Sequence, residues 1–295
     1  MLHISLAAET LWTWRGLPIT NALLTTWVVM GVLAVLSFFA TRNLSRVPSA
    51  FQSVAEVLVG GMHDFLRNVT GKHIDTFFPL LASLFLFIIT ANWIGLLPGV
   101  GTIGFFRNET AHANAASAES SFVPLLRGAT SDLNTTLALA VVAVIAIQYY
   151  GFKTVGMHYS TRFINFSNPI SFFVGALEIV SELSKVISFA FRLFGNIFAG
   201  EVLLAVMAFL MPFIVPLPFL MLELFVGFIQ ALIFSMLTAV FLNVAIMHGE
   251  EHEQHTTGVL PHDPAFVATL ASPEPSAKRG SAKEAAFAKG GESNG

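Results

Sequence analysis

Apolar runs about 20 residues long, separated by polar segments, set the plan of this chain. Residues 22–41 carry no charge and match one crossing of a ~30 Å hydrocarbon layer at 1.5 Å per residue. Residues 77–97 and 133–152 are two more such runs. Residues 50–69 differ. Phe51, Val54, Leu58, Met62, Phe65 and Val69 recur at helical spacing, and Gln52, Glu56, His63 and Arg67 lie between them. That pattern predicts an interfacial amphipathic helix, with His63 on its polar face. From Pro169 to Met211 the chain is apolar almost throughout, roughly 65 Å if helical, about twice the layer thickness. Two spans with a re-entrant turn, or one steeply tilted helix, would accommodate it. Gly195 and Gly200 have no loop-forming neighbours, which favours the tilted helix. Pro212, Pro216 and Pro218 mark a bend, and a second long run returns.

The pattern thus predicts an all-α polytopic membrane protein with about three upright spans, one interfacial helix and a long, steeply tilted hairpin. The membrane domain is expected over 1–250, with hairpin arms at 168–211 and 213–247. Residues 251–295, rich in Ala, Ser, Gly, Lys and Glu, are expected to be a disordered tail. Residues 98–131 are read as a polar loop. Arg42 and Arg46 follow the first run while only Arg15 precedes it, so the N-terminus is expected outside and the C-terminus in the cytoplasm.

Composition agrees with a membrane protein: 55% of the 295 residues are hydrophobic and only 11% charged. The net charge of −3 and the lack of a basic patch give no sign of nucleic-acid binding. There is no cysteine, which excludes disulfides, thiolate catalysis and iron–sulfur ligation. No basic leader precedes the first run, so it is read as a retained span. His248, His252 and His255 stand among Glu250, Glu251 and Glu253, but the spacing fits no metal-ligand pattern. No cofactor is expected.

The unusual feature is polarity inside the hairpin. A charge at bilayer depth costs at least ~2.5–3.5 kcal/mol, so Arg192 is a functional candidate. Depth can be counted from the bend at Pro212. Glu201 lies 11 residues before it and Glu223 lies 11 after, so the two should share a level. Arg192 lies 20 before and Gln230 lies 18 after, and they share a deeper level. Glu178, Glu182 and Lys185 lie deeper still. At 100° per residue, Glu178, Lys185 and Arg192 fall within about 40° of one another, while Glu201 is about 180° from Arg192. Glu182 and Lys185 suit a plain salt bridge between helices. Two acids at one level repel unless protonated or hydrated, which a salt-bridge role does not explain.

Buried carboxyls bind and release protons near neutral pH, and chains of them mark proton relays. Arginine keeps its charge and can only block, attract or orient. The order is acids, a fixed cation, then acids again: two proton paths divided by a permanent charge. Gly195, Ala199 and Gly200 would let another helix approach closely. The remaining acids do not reach Arg192, so a partner's membrane carboxylate would complete it.

The run Arg192-Leu193-Phe194-Gly195-Asn196-Ile197-Phe198-Ala199-Gly200-Glu201 resembles the signature of the subunit a family of F-type ATP synthases. The segments Ala91-Asn92-Trp93-Ile94-Gly95-Leu96-Leu97-Pro98, Asp132-Leu133-Asn134-Thr135-Thr136-Leu137-Ala138-Leu139-Ala140, Glu182-Leu183-Ser184-Lys185 and Gln230-Ala231-Leu232-Ile233-Phe234 carry the same resemblance, which spans roughly residues 20–250. It implies a non-catalytic, proton-translocating stator subunit in a bacterial plasma (inner) membrane. Its partners would be a ring of c subunits, the b-subunit peripheral stalk and other subunits of the complex. By the same resemblance, Arg192 faces the ring carboxylate, and Asn196 and Gln230 flank that contact. Glu201 and Glu223 belong to the outer half-channel, Asp132 and Asn134 to its mouth, and Glu178 to the inner half-channel. Some family members have histidine where this chain has Glu223. The alternative is an ion-coupled secondary transporter, which an inverted repeat or a helix broken at the midplane would favour.

Overall fold

The computed structural model describes residues 8–42, 50–108, 120–156, 159, 169–211 and 214–256. Six α-helices dominate the described residues: α1 Asn21–Arg42, α2 Ala50–Thr70, α3 Ile74–Gly95, α4 Leu133–Val155, α5 Pro169–Leu210 and α6 Pro216–Thr256. Among the described residues, five helical stretches are long and apolar enough to cross a membrane, one of them running through α2 and α3. The protein is therefore a polytopic, all-α membrane protein.

Short strands decorate the helical frame. β1 (Thr10–Trp14) pairs antiparallel with β2 (Leu17–Thr20). Arg15 (φ 49°) and Gly16 (φ 85°) form the turn between them; two successive positive φ values match the twist of a tight hairpin. After α3 come β3 (Pro98–Gly101) and a second hairpin, β4 (Gly104–Asn108) with β5 (Ser120–Pro124). A single 3-10 turn, Ala129–Ser131, then leads into α4. The segment 98–131, expected as a plain polar loop, is thus partly ordered by strand pairing that apolar periodicity does not reveal.

Helix starts follow local chemistry. Thr20 Oγ1 accepts the amide of Leu23 at 3.3 Å, capping α1. The carbonyl of Asp132 accepts the amide of Thr136 at 3.2 Å at the head of α4. Arm lengths are decided by breakers. α5 has 42 residues, runs unbroken through Gly195 and Gly200, and spans ~63 Å, so it contains no re-entrant turn. α6 has 41 residues and continues to Thr256, past the expected end at Met247. The apolar run ends there, but Glu250-Glu251-His252-Glu253-Gln254-His255 contains no helix breaker. The side chains of that His/Glu group lie outside the described residues, as do residues 257–295 and Pro212. The chain divides into two units, Met1–Glu250 and Glu251–Gly295.

The two larger apolar clusters among the described residues lie in the first unit. Leu84, Phe85, Ile88 and Ile89 of α3 meet Ala140 and Ala143 of α4, Phe189, Ala190, Leu193 and Ile197 of α5, and Ala231 and Phe234 of α6. A second cluster joins Leu66, Phe77, Leu81, Ile147, Leu242 and Ile246. Burying each such side chain is worth roughly 1.5–3 kcal/mol against water. Within lipid that gain is absent, and close packing and hydrogen bonds hold the helices instead. Accordingly Asn243 Nδ2 donates to the Val69 carbonyl (3.1 Å), tying α6 to α2. Trp93 Nε1 donates to the Leu224 carbonyl (3.2 Å), tying α3 to α6.

Candidate functional site

The buried stripe of α5 dictates what its other side presents. Ala190, Leu193, Ile197 and Gly200 recur three to four residues apart and, with Phe189, face the protein. Arg192, Gly195 and Asn196 are exposed on the remaining surface. Nothing lies within 4 Å of a β-carbon placed on Gly195, so that position borders open space. Ile187 and Phe191, 55% and 57% exposed, make the surroundings greasy. The Arg192 guanidinium donates to Ser188 Oγ at 3.2 Å, one turn back, and meets no carboxylate among the described residues. A lone cation on an apolar face is a place for an anion that the described residues do not supply.

The hairpin register follows from three contacts. Asn196 Nδ2 donates to Gln230 Oε1 at 2.6 Å. The rings of Phe189 and Phe234 lie 5.0 Å apart. Nearer the bend, the carboxylate of Glu223 occupies the space a Gly200 side chain would need. Glu201, which follows Gly200, therefore stands at the level of Glu223. Gln230 is buried and hydrogen-bonds to Asn196, one turn beyond Arg192. Glu223 is 7% exposed, and its Oε1 has no hydrogen-bond partner among the described residues. Glu201 is exposed.

A polar layer packs beside this pair. Arg127 is buried, and its Nε lies 3.8 Å from Glu201 Oε1. The loop carrying it is pinned from several sides. Thr25 Oγ1 of α1 accepts the Arg127 amide (3.2 Å), and Asn21 Nδ2 donates to the Pro124 carbonyl (3.4 Å). Thr130 Oγ1 donates to Asn92 Oδ1 (2.7 Å), whose Nδ2 donates to the Gly227 carbonyl of α6 (3.0 Å). Gly95 and Gly128 touch backbone to backbone. Asp132 is buried and its Oδ2 accepts from Thr135 Oγ1 at 3.3 Å, while Asn134 is exposed.

Toward the opposite end of α5, Glu178 is half-buried. Lys185 Nζ and Glu182 Oε1 are 2.7 Å apart, and the Lys185 ammonium lies 4.9 Å from the centre of the Phe241 ring. This pair sits within α5, three residues apart, instead of bridging two helices: that spacing already places the side chains on one face.

The geometry thus brings together Glu201 and Glu223 near the bend, and Asn196 with Gln230 below them. It leaves Arg192 on the outer surface of α5, with Glu178 several turns beyond. Arg127, Thr130 and Asn92 are partners of this site that the apolar pattern alone does not single out. One signal was available for Arg127: it is a cation in a loop expected outside, against the positive-inside bias.

The model of the family described as "ATP synthase A chain" matches residues 23–243. Relatives named "ATP synthase subunit a" include that of Citrifermentans bemidjiense, 37% identical over 231 residues, covering 77% of this chain and 88% of the relative. That of Trichlorobacter lovleyi is 34% identical over 245 residues, covering 82% and 89%. That of Gloeobacter violaceus is 36% identical over 247 residues, covering 82% and 90%. The family match encloses all of α5, α6 as far as Asn243 and the loop that packs on them, and this chain belongs to the ATP synthase A chain family.

Proposed function

We propose that the chain is the proton-conducting stator subunit a of an F-type ATP synthase, with two offset half-channels that serve a rotating ring of c subunits. The observation that carries this reading is Arg192: exposed on an apolar helix face, without a carboxylate among the described residues, beside the open space at Gly195. A ring carboxylate arriving there would find its counter-charge, and Arg192 would drive off the carboxylate's proton by stabilising the anion. Because arginine stays protonated, it also bars a direct leak between the two paths.

Asp132, Asn134, Glu201 and Glu223 then form the outer path, Asn196 and Gln230 flank the ring contact, and Glu178 lies on the inner path. The subunit performs no covalent chemistry and needs no cofactor. It works in a bacterial plasma membrane, held by the b-subunit stalk, with its N-terminus outside and its tail, 251–295, in the cytoplasm. Each hairpin arm would lie steeply tilted, since ~60 Å of helix exceeds a ~30 Å hydrocarbon layer. A secondary transporter is disfavoured: α5 and α6 run unbroken where such proteins interrupt their helices.

The test is twofold. The chain should co-purify with a multimeric ring of small hairpin subunits. Glu201→Gln together with Glu223→Gln should strongly slow proton entry from the outer side in reconstituted vesicles. Unchanged passive conductance would refute the outer path.

A further inference from the structure

A buried guanidinium keeps its charge, so it persists only where an anion compensates it. Arg127 is such a group: only 9% of its side chain is exposed, although it lies in a connecting loop. Glu201 provides compensation at 3.8 Å. The position of Arg127 does not depend on Glu201. Its own amide is held by Thr25 Oγ1 (3.2 Å), and the neighbouring Leu126 carbonyl accepts from the Gly101 amide (2.8 Å). Gly128 is pressed on Gly95, and Thr130 is tied to Asn92. The loop that carries the cation is thus fixed by α1, α3 and β3.

The two acids of the pair therefore differ. Glu201 has a fixed cation at its side and 45% of its side chain exposed. Glu223 is buried against Gly200 with an oxygen lacking a hydrogen-bond partner among the described residues. Two equivalent carboxylates at one level would repel and share protons indiscriminately. Here the asymmetry gives them an order.

We propose that Arg127 is a positioning residue for proton passage, anchoring the Glu201 carboxylate at the exposed rim so that it receives a proton first and Glu223 second. In the transfer, the O–H bond on Glu201 breaks and one forms on Glu223, leaving Glu201 an anion beside Arg127 and ready for the next proton. This rests on the outer path proposed above.

A double-mutant cycle in the complete complex, reconstituted in vesicles, tests it. Proton flux is compared for the unmodified complex, Arg127→Gln, Arg127→Lys, Glu201→Gln and the Arg127→Gln/Glu201→Gln pair. Arg127→Gln should slow flux about tenfold, and Arg127→Lys should recover most of it. In the Glu201→Gln background, adding Arg127→Gln should change flux less than about twofold. Undiminished flux in Arg127→Gln, or the same tenfold loss in the Glu201→Gln background, overturns the inference while leaving the outer path standing. Undiminished flux in Glu201→Gln overturns the inference and the outer path together. If Arg127→Gln does not assemble with the ring, the cycle is run with Arg127→Met, an apolar replacement of similar length, and Glu201→Gln. Coupled losses support the role; additive losses overturn it.

Discussion

The carboxylate of Glu223 sits where a side chain on Gly200 would have to be. This contact joins the two arms of the hairpin at the level of the acids, and it needs a residue without a β-carbon. It also orders the site: Gly200 seats one acid, and the next residue, Glu201, is the other.

Gly200→Ala should therefore act on the site and leave the fold in place. The obstructing atoms belong to the far end of a flexible side chain, so the Glu223 carboxylate moves aside and the helices need not separate. Displacement of a reacting group by about 1 Å can cost up to 10²-fold. Outer-side proton passage should fall by about 10- to 100-fold, with membrane insertion and helical content by circular dichroism unchanged. Unaltered passage would mean that the position of Glu223 is unimportant.

Asn92 is the strut between the Arg127 loop and α6. Asn92→Ala leaves the buried Thr130 hydroxyl without its acceptor and removes the tie to the Gly227 carbonyl, which keeps its own helical hydrogen bond. An unsatisfied buried group costs about 1–3 kcal/mol. Denaturant unfolding in detergent should show a loss of that order. Asn92→Asp keeps one acceptor for Thr130 and should be milder in that contact, although it removes the donor to Gly227.

Gln230 makes a milder prediction for stability. Its bond to Asn196 crosses the hairpin at 2.6 Å, but interhelical hydrogen bonds in membranes average only about 0.6 kcal/mol. Gln230→Leu should lower stability by about that much in the same unfolding assay. A loss of several kcal/mol would show that this polar contact, and not the packing of Phe189 on Phe234, holds the arms together.

The depth of the hairpin polar groups was legible in the sequence because the arms are regular. Counting outward from Pro212 puts Glu201 and Glu223 at one level, and the structure brings Gly200 and Glu223 into contact. The same count pairs Gln230 with Arg192, and the structure pairs it with Asn196, one turn away: a bend several residues wide leaves the register open by about a turn. Helix lengths were legible where a breaker ends the apolar run and not at Met247, where polar helix formers extend α6. Arg127 was not legible as a buried group. Its backbone is held by Thr25, its loop is tied through Thr130 to Asn92, and its charge meets Glu201; these residues are 102, 35 and 74 positions away, which no local periodicity connects. The strand pairing of 104–108 with 120–124 was hidden for the same reason.

The central claim is that Arg192, exposed on α5 with only Ser188 as its hydrogen-bond partner among the described residues, is the fixed charge a rotor carboxylate meets. The most direct measurement is ATP-driven proton pumping by reconstituted complexes carrying Arg192→Ala, with co-purification of the ring confirming assembly. Pumping should be abolished while the complex still inserts and assembles. Pumping at the unmodified rate by an assembled Arg192→Ala complex would contradict the claim.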